Sequence, residues 1–290
     1  MLSISHRLVL ACGLLVGVAW LAASVGVQPS HQATAAAVQA IPQFTVAASE
    51  PAPKLTAASY LVFDVESGEP LIAHDADAVR PIASITKLVT AAVAAEIFTG
   101  EEPIRVTERD VATFGRAGSL QAGQSYALRE LQVPLLLESS NDAAAAIARA
   151  GGSDFIDRME HWAAAAGARD VTFADSSGLS AENRASARDI AAVLRTLQTE
   201  RPAVLDITRL SRYLGPYTGW SNNNPVSPNA DYRGGKHGYT NASKLTIAAL
   251  FAESLAAGER TLGYVVLGSE DLAADVASLR GFVARSVHFE

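Results

Sequence analysis

An uncharged apolar run near the N-terminus is the strongest hydrophobic signal in the chain. Residues 8–27 carry no charged side chain, and Arg7 is the only charged residue before Glu50. A helix of this length spans about 30 Å, at about 1.5 Å per residue, which matches the hydrocarbon thickness of a bilayer. Residues 1–27 are therefore predicted to be a membrane anchor, or alternatively a signal peptide cleaved near 33–35. Arg7 on the short side predicts an extracytoplasmic location for the remainder.

The segment that follows, residues 28–57, has no helical or strand period. It is rich in Ala, Pro, Gln, Ser and Thr, a composition typical of linkers. We therefore expect a tether at 28–57 and a catalytic or binding domain at 58–290.

From residue 58 onward the apolar positions predict regular elements. Strands are predicted at Tyr60–Phe63, Pro70–Ala73 and Thr261–Gly268. Helices are predicted at about Ile82–Phe98, Leu128–Ala150, Asp154–Ala166, Ala187–Leu197 and Leu272–Val283. Strands at both ends of a domain with helices between them indicate an α+β fold.

Composition and charge exclude some functions. The 290 residues include 23 basic and 30 acidic side chains, for a net charge of −7. An acidic domain argues against nucleic acid as a partner, because phosphate binding depends on Lys and Arg. The single cysteine, Cys12, lies in the apolar run, so no disulfide, thiol nucleophile or cysteine metal cluster is expected in the domain. The six histidines show no metal-binding spacing, and no cofactor is expected.

Ser84 and Lys87 stand three residues apart near the start of the first predicted helix. Residues at this spacing share one helical face, so the amine can reach the hydroxyl. A serine needs a base to become a nucleophile. A lysine among apolar neighbours such as Ile85 and Leu88 loses its proton more easily. The pair is a candidate nucleophile and base, although ordinary solvated helices contain the same spacing.

Ser139 and Asn141 form a second candidate pair. If the backbone there is not regular helix, a hydroxyl and an amide two residues apart can both point into a cleft. Ser139 could then relay a proton and Asn141 could hold a substrate amide. The alternative interpretation is a helix N-cap, since Ser and Asn are favoured at that position.

Lys236 lies among glycines, with Gly234 and Gly235 before it and Gly238 after it. Glycines around a lysine suit a strand edge that a ligand approaches closely, where Lys236 could bind a carboxylate. A glycine-rich turn is the alternative for this segment taken alone.

The three segments together, in this order, follow the S-x-x-K, S-x-N and K-T-G set of β-lactamases and penicillin-binding proteins, with a histidine in place of the threonine. The chain resembles the penicillin-binding D-alanyl-D-alanine carboxypeptidase family over about 58–283. The segments that carry the resemblance are Phe63–Gly68, Arg80–Leu88, Leu137–Ala144, Asp175–Leu179, Ser186–Asp189 and Gly235–Thr240.

This resemblance implies a fold and a set of roles. The implied fold is an antiparallel sheet sandwiched by helices, with a mostly helical subdomain and the active site between them. Ser84 would form an acyl-enzyme with peptidoglycan stem peptides, Lys87 would be its base, and Ser139 would pass a proton to the leaving amine. The backbone N–H groups of Ser84 and Tyr239 would form the oxyanion hole. The implied substrate-binding residues are Asn141, Lys236, His237, Gly238 and Tyr239.

His237 departs from the family pattern, because it replaces the threonine of the third motif. That threonine helps to bind the terminal carboxylate, so the departure bears on substrate preference and rate. An imidazole can donate a hydrogen bond and can gain charge near neutral pH.

Two other functions are compatible with the three motifs. A β-lactamase uses the same set, but a class A enzyme needs a glutamate for deacylation, and no Glu-x-x-Leu-Asn pattern follows Ser139. A wall-binding relative with weakened catalysis is the second alternative, and only His237 supports it. The motifs are equally compatible with carboxypeptidase and endopeptidase activity. β-Lactam antibiotics are the expected covalent inhibitors.

Overall fold

The structure is a computed structural model that describes residues 44–46, 51–115, 117–255 and 258–289. The predicted anchor or signal peptide lies outside these residues, as does most of the predicted linker. Within the described part of the chain, no helix combines the length and apolar character needed to cross a bilayer.

Short strands and helices are interspersed along the domain, and the three longest strands lie in its last third. The strands are β1 Phe44–Val46, β2 Ser59–Asp64, β3 Pro70–His74, β4 Arg80–Pro81, β5 Pro103–Arg105, β6 Ser125–Ala127, β7 Arg184–Ala185, β8 Arg212–Leu214, β9 Gly219–Ser221, β10 Tyr232–Thr240, β11 Lys244–Leu255, β12 Gly258–Ser269 and β13 Val287–Phe289. The helices are α1 Thr86–Ile97, α2 Glu108–Val111, α3 Leu128–Leu137, α4 Asn141–Gly151, α5 Phe155–Ala165, α6 Ala187–Glu200, α7 Pro202–Arg209 and α8 Leu272–Ser286, with a 3₁₀ helix at Ala83–Ile85.

A five-stranded antiparallel sheet forms the centre of the domain, in the order β10-β11-β12-β2-β3. Its side chains alternate between two cores, as the two-residue period of a strand requires. On β2, for example, Leu61 and Phe63 pack into the core that includes α1 and α6, whereas Tyr60 and Val62 face the core that includes α8. Both faces of the sheet are thus covered by helices.

Helices α1 to α5 pack together on the α6 side of the sheet. The first nine residues of α1, Thr86–Ala94, are all buried, because α1 touches α3, α4, α5 and the 3₁₀ helix. A helix surrounded in this way is apolar on all sides rather than amphipathic.

The predicted α+β fold, a sheet sandwiched by helices with a mostly helical subdomain, is confirmed.

The single helix predicted for Leu128–Ala150 is wrong, because the chain forms two helices there. Helix α3 ends at Leu137 and α4 begins at Asn141. Between them Ser139 adopts φ 61°, and the Ser140 hydroxyl caps α4 by accepting from the Ala143 amide at 3.0 Å. The sequence hides this break because apolar residues continue on both sides of it.

Several strands lie where none was predicted, among them β11 and β1. Strand β11 is Ala-rich and buried on both faces along most of its length, so it shows no alternation of polar and apolar residues. Strand β1 lies inside the segment expected to be a linker and pairs with β13 in antiparallel register. Three residues are too few to show a period.

Candidate active site

Ser84 lies in the 3₁₀ helix, one turn before Lys87 in α1. The Lys87 Nζ atom donates to the Ser84 Oγ atom at 3.0 Å. Lys87 is fully buried, at 0% exposure, although the sequence around it could equally have formed a solvated helix. The predicted pair is therefore in direct contact.

Lys87 has two further hydrogen-bond partners from distant parts of the chain. It donates to Asn141 Oδ1 at 2.7 Å and to the Ser177 carbonyl oxygen at 2.6 Å. Burial holds the pKa of Lys87 well below that of a free lysine, and the nearby charge of Lys236 lowers it further; the carboxylates of Asp175 and Asp142 oppose this shift. A buried amine with this balance of charges can exchange a proton with the serine.

The break between α3 and α4 brings the second motif to the same place. Ser139, in its left-handed conformation, lines one cleft together with Ser84 and Asn141. The Asn141 Nδ2 group donates to the carbonyl oxygens of Phe114 and Gly115, at 2.9 and 3.1 Å. These bonds fix the orientation of the amide so that its oxygen faces Lys87.

Strand β10 forms the opposite wall of the cleft. It is an edge strand of the sheet and packs against the 3₁₀ helix. A methyl group at Gly238 would lie 2.6 Å from the Ser84 amide nitrogen, so only a residue without a side chain permits this approach. The backbone of β10 therefore passes directly beside the serine.

Lys236 is nearly as buried as Lys87, at 1% exposure. Its Nζ atom donates to the His237 carbonyl oxygen at 2.7 Å. Burial lowers the pKa of Lys236 to about 7. An anionic group arriving beside Lys236 would favour its protonated form.

A loop at 175–180, which none of the three motifs includes, supports the site. The Asp175 carboxylate accepts from the amides of Ser177, Gly178 and Ser180 at 2.7 to 2.8 Å. Burial raises the pKa of Asp175, but these hydrogen bonds outweigh burial and keep the pKa low. The loop thereby presents the Ser177 carbonyl to Lys87. The resemblance of Asp175–Leu179 to the family was the only sequence signal for this loop.

The structure brings all eight candidate residues together. Six of them line a cleft of about 330 Å³: Ser84, Ser139, Asn141, His237, Gly238 and Tyr239. The other two, Lys87 and Lys236, are buried at its wall. A larger groove of about 640 Å³ lies elsewhere and contains none of the eight residues. Among the described residues, no group of three His, Cys, Asp or Glu side chains is placed to hold a metal ion.

His237 lines the cleft, but the expectation that it can gain charge near neutral pH is wrong. Burial lowers the pKa of His237 to about 3, and the charges of Lys236 and Lys87 contribute to the decrease. The ring is therefore neutral at pH 7 and can donate one hydrogen bond. Its Nδ1 atom is buried and has no hydrogen-bond partner among the described residues.

Replacing His237 by threonine is expected to leave kcat/KM on a D-alanyl-D-alanine peptide equal to wild type or higher. Replacing it by alanine should lower kcat/KM by about 3- to 10-fold, the effect of one lost neutral hydrogen bond. Threonine keeps a donor in less space, whereas alanine has none. Steady-state kinetics of the three proteins provide the measurement. Equal values for all three would mean that position 237 does not touch the substrate.

The fold and the site together define a class of protein. In this class, helices surround an antiparallel sheet, and a serine–lysine pair faces an edge strand. Residues 45–271 match the family model described as D-alanyl-D-alanine carboxypeptidase, peptidase S11. The chain belongs to this family, as its three motifs predicted.

Individual relatives differ in the reaction that their names specify. The chain is 34% identical to a D-alanyl-D-alanine endopeptidase of Haemophilus influenzae over 168 residues, 56% of each chain. It is 29% identical to the D-alanyl-D-alanine carboxypeptidase DacB2 of Mycobacterium tuberculosis, over 71% of this chain and 72% of the relative. The match to a Pseudomonas aeruginosa endopeptidase covers 46% of that relative. The chain thus spans about half the length of the endopeptidases that it matches.

Solved structures share the fold over most of their length. A D-alanyl-D-alanine carboxypeptidase from Mycobacterium tuberculosis superposes with a TM-score of 0.76 at 27% identity, over 82% of this chain and 94% of that one. Penicillin-binding protein D2 of Listeria monocytogenes, in its ampicillin-bound form, superposes with a TM-score of 0.69 at 23% identity, over 81% and 98% of the two chains.

Proposed function

We propose that this protein is a serine-type D-alanyl-D-alanine peptidase that acts on peptidoglycan stem peptides through an acyl-enzyme on Ser84. One observation carries the proposal. The Ser84 hydroxyl lies 3.0 Å from the amine of a fully buried lysine, whose pKa is held low by burial and by Lys236. A nucleophile in contact with such a base is the arrangement that covalent acyl transfer requires.

In the acylation step, neutral Lys87 accepts the Ser84 hydroxyl proton as the Oγ atom bonds to the carbonyl carbon between the two D-alanines. The carbonyl oxygen becomes negative, and the backbone N–H groups of Ser84 and Tyr239 would stabilise it. The position of Gly238 against the Ser84 amide supports this assignment. Donors fixed in this way stabilise charge that develops only in the transition state.

The tetrahedral intermediate collapses when its C–N bond breaks. The departing nitrogen takes the proton that Ser84 lost, passed from Lys87 through the Ser139 hydroxyl. Asn141 would hold the donor amide, while Lys236 and His237 would hold the terminal carboxylate. One proton of a water molecule then passes to Lys87 as the water oxygen bonds to the ester carbonyl carbon. That proton returns to Oγ as the carbon–Oγ bond breaks, which restores Ser84. The burial of both lysines in an otherwise acidic protein supports these roles.

The experiment that tests this proposal is labelling of the domain with a fluorescent penicillin. We expect a long-lived adduct that peptide mapping assigns to Ser84, and complete loss of labelling in the Ser84→Ala variant. A β-lactamase would turn the drug over and lose the label within minutes. A catalytically weakened wall-binding relative would not be labelled. An adduct on another residue would contradict the assignment of Ser84.

Mass spectrometry of muropeptides after incubation with the domain distinguishes the two peptidase reactions. Loss of one alanine from a monomeric stem identifies a carboxypeptidase, and conversion of dimers to monomers identifies an endopeptidase. The chemistry at Ser84 is the same in both cases, and only the leaving amine differs. Some relatives are named endopeptidases and others carboxypeptidases, so the proposal includes both reactions.

We further propose that the domain acts outside the cytoplasm, where peptidoglycan lies, attached through residues 1–27. The uncharged run at 8–27 supports membrane attachment. N-terminal sequencing of the mature protein distinguishes the two alternatives: an intact N-terminus indicates an anchor, and a start near Ala36 indicates a cleaved signal peptide and a domain without this attachment.

A further inference from the structure

Strand β10 contains a bulge just before Lys236. The register of β10 against β11 shifts between Tyr232 and Gly234, so the regular ladder is interrupted there. A bulge changes the direction of the side chains that follow it, and bulges are common next to active sites. Gly235 lies directly between this bulge and Lys236. The direction of the Lys236 side chain therefore depends on how the backbone of Gly235 is held.

Two buried hydroxyl groups hold the two backbone polar groups of Gly235. The Gly235 amide donates to the Thr208 Oγ1 atom at 2.9 Å, and the Tyr232 hydroxyl donates to the Gly235 carbonyl oxygen at 3.0 Å. Thr208 is 0% exposed and Tyr232 is 5% exposed. Both lie outside the set of residues that line the cleft. We call Thr208 and Tyr232 the hydroxyl clamp.

Each hydroxyl of the clamp has a further partner. The Thr208 Oγ1 atom donates to the Leu205 carbonyl oxygen at 2.6 Å, within α7. The Tyr232 hydroxyl accepts from Asn224 Nδ2 at 3.1 Å. Each hydroxyl thus donates one hydrogen bond and accepts another, which fixes the direction of its proton. Because buried networks with every member paired are rigid, the clamp ties Gly235 firmly to α7.

The clamp also determines which backbone groups of β10 face the open edge of the sheet. The N–H and C=O groups of successive residues in an antiparallel strand point alternately to its two sides. Those of Gly235 bind the clamp, on the side away from β11, so those of His237 face the same side. The His237 carbonyl oxygen accepts from Lys236 Nζ at 2.7 Å. The clamp therefore controls the position of the backbone atom that holds the Lys236 amine.

We propose that Thr208 and Tyr232 are positioning residues that direct Lys236 and His237 toward the terminal carboxylate of the substrate. This inference rests on the proposed function and adds to it two residues that act through β10 without touching the substrate. Loss of either hydroxyl would leave a buried polar group of Gly235 without its partner, which favours a shift of the strand. A displacement of about 1 Å in a binding group can lower a rate by as much as about 10²-fold.

Two peptides that differ only at the C-terminus test the clamp. One is diacetyl-L-lysyl-D-alanyl-D-alanine, and the other is the same peptide with a C-terminal amide. Wild type should prefer the carboxylate by at least about tenfold in kcat/KM, the effect of one hydrogen bond to a charged group.

Thr208→Val and Tyr232→Phe each remove one hydroxyl and nearly keep the size of the side chain. Each should reduce the preference for the carboxylate by about 3- to 10-fold, chiefly through KM of the carboxylate peptide. Thr208→Ser keeps the hydroxyl and should retain the wild-type preference. Tyr232→Phe alone decides the test if Thr208→Val does not fold.

Tyr264→Phe is the matched control. Tyr264 is 0% exposed, and its hydroxyl donates to Glu253 Oε1 at 2.8 Å, in the core that includes α8. This variant loses an equally buried hydroxyl and should keep the preference unchanged.

Equal losses on both peptides in the clamp variants would mean a purely structural role and would overturn the inference. No preference in wild type, or a Thr208→Ser variant that behaves like Thr208→Val, would overturn it as well. In each of these cases, penicillin labelling of Ser84 would leave the proposed function standing. Failure to hydrolyse either peptide, combined with no labelling, would overturn the proposed function and the clamp with it.

Discussion

Replacing Lys87 by arginine is expected to lower the rate of acylation by about 10³-fold, within the range that general-base catalysis usually contributes. Arginine keeps the positive charge but does not release its proton in a protein. The variant would therefore hold a fixed positive charge beside Ser84 and lose the base. The acylation rate is measured directly as the rate of labelling by a fluorescent penicillin at saturating concentration, sampled at several times before labelling is complete.

The pH dependence of the same rate provides an independent readout. In wild type only neutral Lys87 can accept the serine proton, so the rate should rise with pH until Lys87 is deprotonated. Burial and Lys236 place that rise well below the pKa of a free lysine. In the Lys87→Arg variant the residual rate should lose this rising limb.

Lys236→Arg is a matched control, because Lys236 is equally buried but is proposed to act only through its charge. We expect this variant to retain more acylation than Lys87→Arg. Similar losses in both would mean that crowding, rather than loss of the base, explains the effect. A near-normal rate in Lys87→Arg would leave Lys87 with an electrostatic role only.

Replacing Gly178 by alanine is expected to lower acylation by about 10²-fold and to destabilise the fold by about 2–4 kcal/mol. Gly178 has φ 85°, and a methyl group there would lie 1.9 Å from the Ala83 carbonyl oxygen and 2.9 Å from the Ser84 amide nitrogen. Either the loop or the 3₁₀ helix must move. Movement of either one separates Ser84 or the Ser177 carbonyl from Lys87.

Gly100→Ala separates this steric effect from backbone strain. Gly100 has φ 97°, with no atom within 4 Å of an added methyl group. It therefore carries the cost of a left-handed alanine, about 1–2 kcal/mol, without the collision. Thermal unfolding measures stability, and penicillin labelling measures acylation. We expect Gly100→Ala to lose some stability and keep full acylation; full acylation in Gly178→Ala would contradict the supporting role of the loop.

The amino-acid sequence determined the candidate site because its motifs depend on local chemistry. Ser84 and Lys87 are three residues apart, so any helix through them places the two side chains together. The same holds for the predicted strand at Tyr60–Phe63, whose apolar run is visible without knowledge of its neighbours. The order of the three motifs then led to the family and, through it, to the fold.

Tertiary structure alone decided what makes these residues a site. The partners of Lys87 come from Asn141 and Ser177, which are 54 and 90 residues away in sequence, and no local pattern encodes such contacts. Burial of His237 beside two lysines lowered its pKa to about 3, whereas the isolated side chain titrates near neutral pH. The protonation states of the site depend on desolvation and on charges from separate elements, which exist only once the chain has folded.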